Sequence, residues 1–207
     1  MNKLDEIFNE SHNSAEFAEK YIIYLSEVLK KINIQEIVTF IEILQEARDQ
    51  GKHIFFIGNG GSAATASHFA NDLAIGTRSW KKPLKVISLC DNNAIVSAIG
   101  NDDGFENIFL QQLQVLMEPE DIVVAISASG NSPNVIKAIR YANENGAKTV
   151  GLTAFNGGEL RKISVNNIHI PTGNKEYGPA EDGHMILDHL IGSYLSRFIQ
   201  QESQTSQ

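Results

Sequence analysis

Three hydroxyls crowd into "SASGNSPN", residues 127–134, where Ser127, Ser129 and Ser132 surround Gly130 and Asn131 and run straight into the helical pattern "PNVIKAIRYANENG". Hydroxyl donors, a flexible glycine and the free N–H groups of a helix N-terminus make a nest for a small anion, with the positive end of the helix dipole behind it. Phosphate is the natural occupant. Ser132 followed by Pro133 also reads as an N-cap with proline in the first helical position, which accounts for one serine but not for three.

A second stretch, "GNGGSAATASHFAND" (58–72), sets three glycines, Asn59 and Ser62 directly after the apolar run "HIFFIG". It lacks the third glycine of a dinucleotide fingerprint and the Gly-Lys-Ser/Thr ending of a P-loop. A tight turn with Ser62 as the cap of the next helix satisfies the same residues, and so does a ligand-binding loop. On the helix that follows, His68 and Asp72 are four residues apart and share a face. The last helical pattern adds Glu181, Asp182, His184, Asp188 and His189. Glu181 and His189 lie about 80° apart on it, so they converge without forming a clean stripe. A histidine and a carboxylate at this spacing also describe an ordinary surface pair, and spacing alone leaves the role open.

The elements that must hold these groups follow from periodicity. Residues 14–50 carry apolar positions at helical spacing, predicting two helices ahead of the first strand. From residue 53 apolar runs alternate with helical segments: "HIFFIG", "LKVISL", "DIVVAIS", "KTVGLTA" and "NNIHIP" read as strands. Runs such as "DIVVAIS" are apolar on both faces, as parallel strands covered by helices are. The expectation is an α/β fold: a doubly wound, flavodoxin-like, five-stranded parallel sheet with an N-terminal helical hairpin. In such sheets the ligand crevice lies beyond the carboxyl ends of the strands, where strand order reverses. The loops 58–62, 91–93 and 127–134 are therefore the ones that matter. The expected divisions are N-terminal helices at 1–50, the main domain at 51–201 and a disordered polar tail at 202–207.

The 207 residues suffice for one full core without disulfides or structural metal. With 17 basic against 25 acidic residues the net charge is −8, which argues against a nucleic-acid-binding surface. The single cysteine, Cys90, reads as a small strand-end residue in a reducing compartment. No signal-peptide pattern and no apolar run of about 18 residues is visible, so the expectation is a cytoplasmic protein with no membrane partner.

Taken together, "GNGGSAATASHFAND", "AIGNDDGF", "ISASGNSPNVIKAI", "GLTAFNGGEL" and "EDGHMILDHLI" resemble the SIS (sugar isomerase) domain family, and within it the phosphoheptose isomerases, over about residues 14–200. The resemblance implies an aldose–ketose isomerase interconverting sedoheptulose 7-phosphate and D-glycero-D-manno-heptose 7-phosphate, for the heptose of lipopolysaccharide or capsule. It implies a homotetramer with active sites between subunits, and bound zinc. Ser127, Ser129 and Ser132, with Ala128 between them, would hold the phosphate; Asn59, Gly60, Gly61, Ser62, Asp102 and Glu181 would line the sugar site. The family's base falls on Asp72 and its acid on His189, and its zinc ligands fall on His68, Asp72, Glu181 and His189.

This chain departs from the family pattern in four places. Asp72 replaces a glutamate, Glu181 a glutamine and Ala128 a threonine, and the family arginine has no aligned partner, with Arg78 lying a little later. The resemblance also covers non-catalytic members, which sense sugar phosphates or bridge other proteins, and isomerases of other sugar phosphates. A catalytic member needs both a carboxylate and a histidine at the acid–base positions, and this chain keeps Asp72 and His189.

Overall fold

The five apolar runs are the strands of one all-parallel sheet in the computed structural model, which describes residues 2–205. They are β1 (His53–Gly58), β2 (Lys85–Ser88), β3 (Ile122–Ser127), β4 (Lys148–Ala154) and β5 (Asn166–Ile170), in the order β2-β1-β3-β4-β5. Register runs from Ile54 opposite Ile122 to Gly58 opposite Ile126 between β1 and β3, and from Ile122 opposite Lys148 onward between β3 and β4. The order is the flavodoxin-like one expected, and the chain reverses direction across the sheet between β1 and β3. That switch point puts the glycine loop and the serine loop side by side.

Helices cover both faces: α1 (Lys3–Asn9), α2 (Ser14–Leu29), α3 (Ile34–Gln50), α4 (Gly61–Asn71), α5 (Asn93–Asp102), α6 (Leu110–Leu116), α7 (Pro133–Glu144), α8 (Leu160–Ile163) and α9 (Tyr177–Thr205). Alternate residues of β1 explain why its run is apolar throughout. Ile54 and Phe56 enter a core with Phe40 and Leu44 of α3, Phe69 of α4, and Leu187 and Ile191 of α9. Phe55 and Ile57 enter the opposite core with Leu113, Val135, Ala138 and Ile139. Phe56 stacks on Phe69 with ring centroids 4.9 Å apart, which fixes α4 against the strand that feeds it. Each such aromatic burial is worth about 1.5–3 kcal/mol.

The structure corrects three expectations. Three helices precede the sheet, not two: Asn2 caps α1 in a reciprocal pair with Asp5, Ile7 is buried, and the Lys3 amide donates to Glu176 at 2.6 Å. The segment "FENIFLQQLQVL", whose apolar spacing reads in the sequence as one helical segment, is not one helix. A 3₁₀ turn at Phe105–Asn107 delivers Ile108 and Phe109 to the core before α6 begins. Residues 202–205, expected as disordered tail, continue α9, and Glu202 there pairs with the buried Arg48 at 2.7 Å. That ion pair tethers a polar stretch that has no apolar stripe to announce it. The last two residues of the expected tail lie outside the described ones.

Candidate active site

The β3–α7 loop closes on itself through one backbone donor and one side-chain donor. Ser127 Oγ accepts from the Gly130 amide at 3.2 Å, and Asn131 donates from its side chain to the Ser129 carbonyl at 2.9 Å. Ser132 occupies the N-cap position of α7 with Pro133 behind it, yet its hydroxyl makes no capping bond. The capping account of Ser132 therefore holds for its backbone alone, and its hydroxyl is left for a ligand. Ser62 is likewise not a cap: Gly60 is, at φ 54° and ψ −124°, a conformation that suits a residue without a Cβ. Ser62 sits inside the first turn of α4, almost wholly buried.

These two loops border one cavity of about 170 Å³, lined by Asn59, Ser62, Ser127, Ala128, Ser129 and Ser132 and closed by Tyr177 and Glu181 of α9. Asn59 and Asn134 exchange paired side-chain bonds of 2.9 Å, tying the loops together. The N-termini of α4 and α7 both adjoin the cavity, so N–H groups and two positive dipole ends meet there. Gly61 is glycine for a different reason from Gly60. A side chain on it would overlap the Glu181 carboxylate. Asp102, expected in the same place, stands exposed at the end of α5 and does not line this cavity. A larger cavity, about 580 Å³, opens between α6 and α7 and contains none of the expected site residues.

The histidines and acids gather farther along α4 and α9, which run side by side. His68 and His189 meet edge to face, centroids 5.1 Å apart. His68 Nε2 lies 3.7 Å from Asp72 Oδ1, and its Nδ1 lies 4.0 Å from Asp188 Oδ2. Single ligand atoms of His68, Asp72, Asp188 and His189 fall within 4.8 Å of one another, a group able to hold a metal ion. Three of the four residues expected as ligands come together here. The fourth differs: Glu181 is at the serine cavity, and Asp188 stands in the cluster. Asp188 is fully buried, and burial, with the nearby Asp72 charge, pushes its carboxyl up to about 7 despite the opposing pull of His189. Asp72 and His189 also border an open cavity of about 310 Å³ with Ser193, Ser196 and Arg197.

Asp72 is aimed by a feature that periodicity does not announce. The helix switches there to a single π turn, Asp72–Gly76, held in part by Thr77 Oγ1 donating to the Leu73 carbonyl at 2.8 Å. Such turns are frequent at functional sites. The two remaining groups of the last helix are structural. His184 is wholly buried, with its Nε2 facing the Thr153 carbonyl at 3.4 Å, and desolvation lowers it to about 4. Asp182 accepts from Tyr21 of α2 at 2.6 Å.

A doubly wound sheet with a serine nest at its switch point and an acid–histidine cluster on the flanking helices is the architecture of a SIS domain, and that family matches residues 16–154. The chain is 38% identical over 162 residues to the phosphoheptose isomerase of Geotalea daltonii, covering 78% of this chain and 83% of that protein. With the phosphoheptose isomerase of Aquifex aeolicus it shares 32% over 203 residues, 98% and 100% of the two chains. The solved phosphoheptose isomerase of Neisseria gonorrhoeae superposes with a TM-score of 0.78 at 30% identity, over 89% of this chain and 96% of that one. The chain belongs to the phosphoheptose isomerase family of SIS-domain proteins.

Proposed function

We propose that the protein isomerises sedoheptulose 7-phosphate to D-glycero-D-manno-heptose 7-phosphate, supplying heptose for lipopolysaccharide or capsule. The observation that carries this reading is the placement of Asp72 and His189 along the same α4–α9 seam whose other end opens into the serine cavity. One end holds the phosphate through Ser127, Ser129 and Ser132 and the α7 N-terminus, while Asn59, Ser62 and Glu181 meet the sugar hydroxyls. At the other end the Asp72 carboxylate takes the proton from C1 of the ketose as His189 gives one to the C2 carbonyl oxygen. The resulting enediol takes a proton back at C2 and loses the one on O1, leaving the aldose.

His68, Asp72 and His189 would hold a zinc ion, and the fit is chemical: two imidazoles and a carboxylate are its ordinary ligands. Bound there, the ion would polarise the substrate oxygens. A residue that ligates through one oxygen or nitrogen keeps its other atom for proton transfer.

The reading includes a cytoplasmic homotetramer with sites completed between subunits. Supporting it, α2, α3 and α9 expose Ile22, Ile34, Val38, Leu190 and Tyr194, and the last four line an apolar groove of about 350 Å³. No helix among the described residues is long and apolar enough to cross a membrane. The deciding experiment incubates the protein with sedoheptulose 7-phosphate and zinc in deuterated water. Deuterium entering C2 of the aldose product supports the reading. Binding with no exchange at C1 or C2 would make the protein a sugar-phosphate sensor instead.

A further inference from the structure

Tyr177 opens α9 and stands on the wall of the serine cavity, four residues ahead of Glu181 and on the same helix face. It is not among the residues that the family resemblance assigns to the site. That wall is the sugar side of the cavity. A carboxylate set against a phosphoryl group would be repelled by it, and the serine hydroxyls with the α7 N-terminus already serve that group from the opposite loop. Tyr177 is half exposed, yet its position is fixed from three directions. Phe155 meets its ring edge to face with centroids 5.1 Å apart, from a backbone φ of 57° that a bulky residue adopts only where its surroundings impose it. Just before it, the almost wholly buried Glu176 accepts from the Lys3 amide at 2.6 Å, the Gly173 amide at 2.8 Å and the Tyr24 hydroxyl. One turn on, Asp182 accepts from Tyr21 at 2.6 Å, and Gly178 makes room for that ring: a Cβ there would lie 2.9 Å from the Tyr21 hydroxyl. Tyr21 and Tyr24 are three residues apart on α2, so one helix face grips the chain on either side of Tyr177 and Glu181.

We propose that Tyr177 is a specificity-determining contact of this cavity, its ring covering the carbon chain next to the phosphate of a sugar phosphate, and that Tyr24 is a positioning residue acting on it through Glu176. The assignment rests on the proposed isomerase only in taking the serine cavity as the seat of a sugar phosphate. An aromatic face suits that place. It covers C–H groups without competing for the phosphoryl oxygens, and with two side-chain torsions, braced here by Phe155, it loses little freedom when a ligand arrives. Such a ring adds affinity for a ligand whose chain continues past the phosphate and adds none for inorganic phosphate.

The test titrates the full chain calorimetrically with sedoheptulose 7-phosphate and with inorganic phosphate, beside thermal melts. Tyr177→Ala should bind the sugar phosphate about tenfold or more weakly and inorganic phosphate within about twofold of wild type. Tyr177→Phe, which keeps the ring, should stay within about threefold for both. Tyr177→Ser, at a helix start that suits serine, is the second truncation should alanine unfold the chain. Tyr24→Phe removes one donor from Glu176, so it should weaken the sugar phosphate by about three- to tenfold, spare inorganic phosphate, and add nothing in a Tyr177→Ala background. Sugar-phosphate affinity unchanged in Tyr177→Ala overturns the assignment. So does an equal loss for both ligands, which would make Tyr177 a prop of the serine loop, and so does a wild type that binds the sugar phosphate no tighter than inorganic phosphate. A Tyr177→Phe as weak as Tyr177→Ala replaces the ring contact with a hydroxyl bond and overturns it too, while additive losses from Tyr24→Phe remove the positioning role. A chain that gives the expected pattern but fails to isomerise sedoheptulose 7-phosphate sinks the proposed function and leaves Tyr177 as a sugar-phosphate contact.

Discussion

The carboxylate of Glu181 fills the space in which a side chain on Gly61 would have to stand, so α9 and the N-terminus of α4 meet at the serine cavity through one acid and one missing Cβ. Gly61→Ala is therefore a test of site geometry with little cost to the fold. The group displaced is the end of a flexible side chain, and alanine is the better helix former by up to about 1 kcal/mol. The melting temperature should hold or rise, while KM for the sugar phosphate rises about tenfold or more as Glu181 is pushed aside. A fall in stability with KM unchanged would show that Glu181 does not serve the substrate.

The serine loop separates binding from folding in a similar way. Ser132 makes no capping bond, so Ser132→Ala should leave stability within about 0.5 kcal/mol of wild type. The same change should weaken sugar-phosphate binding by roughly 10- to 150-fold, the loss of one hydrogen bond to a charged group. Ser127→Ala should affect both, because its hydroxyl also accepts the Gly130 amide. Calorimetric titration with inorganic phosphate and with the sugar phosphate, beside thermal melts, reads the two effects independently.

His189→Asn should divide chemistry from binding. Asparagine is close in size but carries no proton near neutral pH, so turnover should fall by roughly 10²–10⁴ while affinity for the sugar phosphate changes little. Metal content has to be measured in the same preparations, since His189 belongs to the cluster that could hold a metal ion. Turnover within a few-fold of wild type at full metal loading would remove His189 from the acid role.

Acid sensitivity should trace in part to His184. Its folded-state value of about 4 lies below the ordinary 6.5, so between those values the unfolded chain binds a proton that the folded one refuses. Stability from this group is complete above pH 6.5 and is lost as pH falls toward 4. His169, lowered to about 4 by partial burial and by Arg161, acts with the same sign. Asp188 opposes both in the metal-free protein: raised to about 7 from 3.8, it contributes stability that is lost as pH rises through 7. The His184 share is isolated by comparing wild type with His184→Gln. The stability difference between them should shrink by about 1–2 kcal/mol from pH 7 to pH 5. A difference that stays constant over that range would mean His184 titrates normally in the fold.

The sheet and its loops were legible in the sequence because their signals are local. An apolar run such as Ile122–Ser127, buried at every residue, can only be a strand covered on both faces, and a glycine or serine loop after such a run declares its place at the carboxyl edge. That His68 and Asp72 share a face was legible through helical spacing, and that His189 lies beside them through family resemblance. What stayed hidden depends on contacts between distant segments. The helical order of residues 202–205 comes with an ion pair to Arg48, 154 residues away, and α1 is tied down by Glu176, 173 residues away. The hydroxyls of Ser62 and Ser132 look like caps until the backbone shows that neither makes the capping bond. Asp188 and Glu181 are both acids on one helix, and their spacing cannot say which faces His68. Only the packing of α9 against α4 decides it, by burying Asp188 beside the histidines and leaving Glu181 over Gly61, since burial and proximity belong to the pair of helices and not to either one alone.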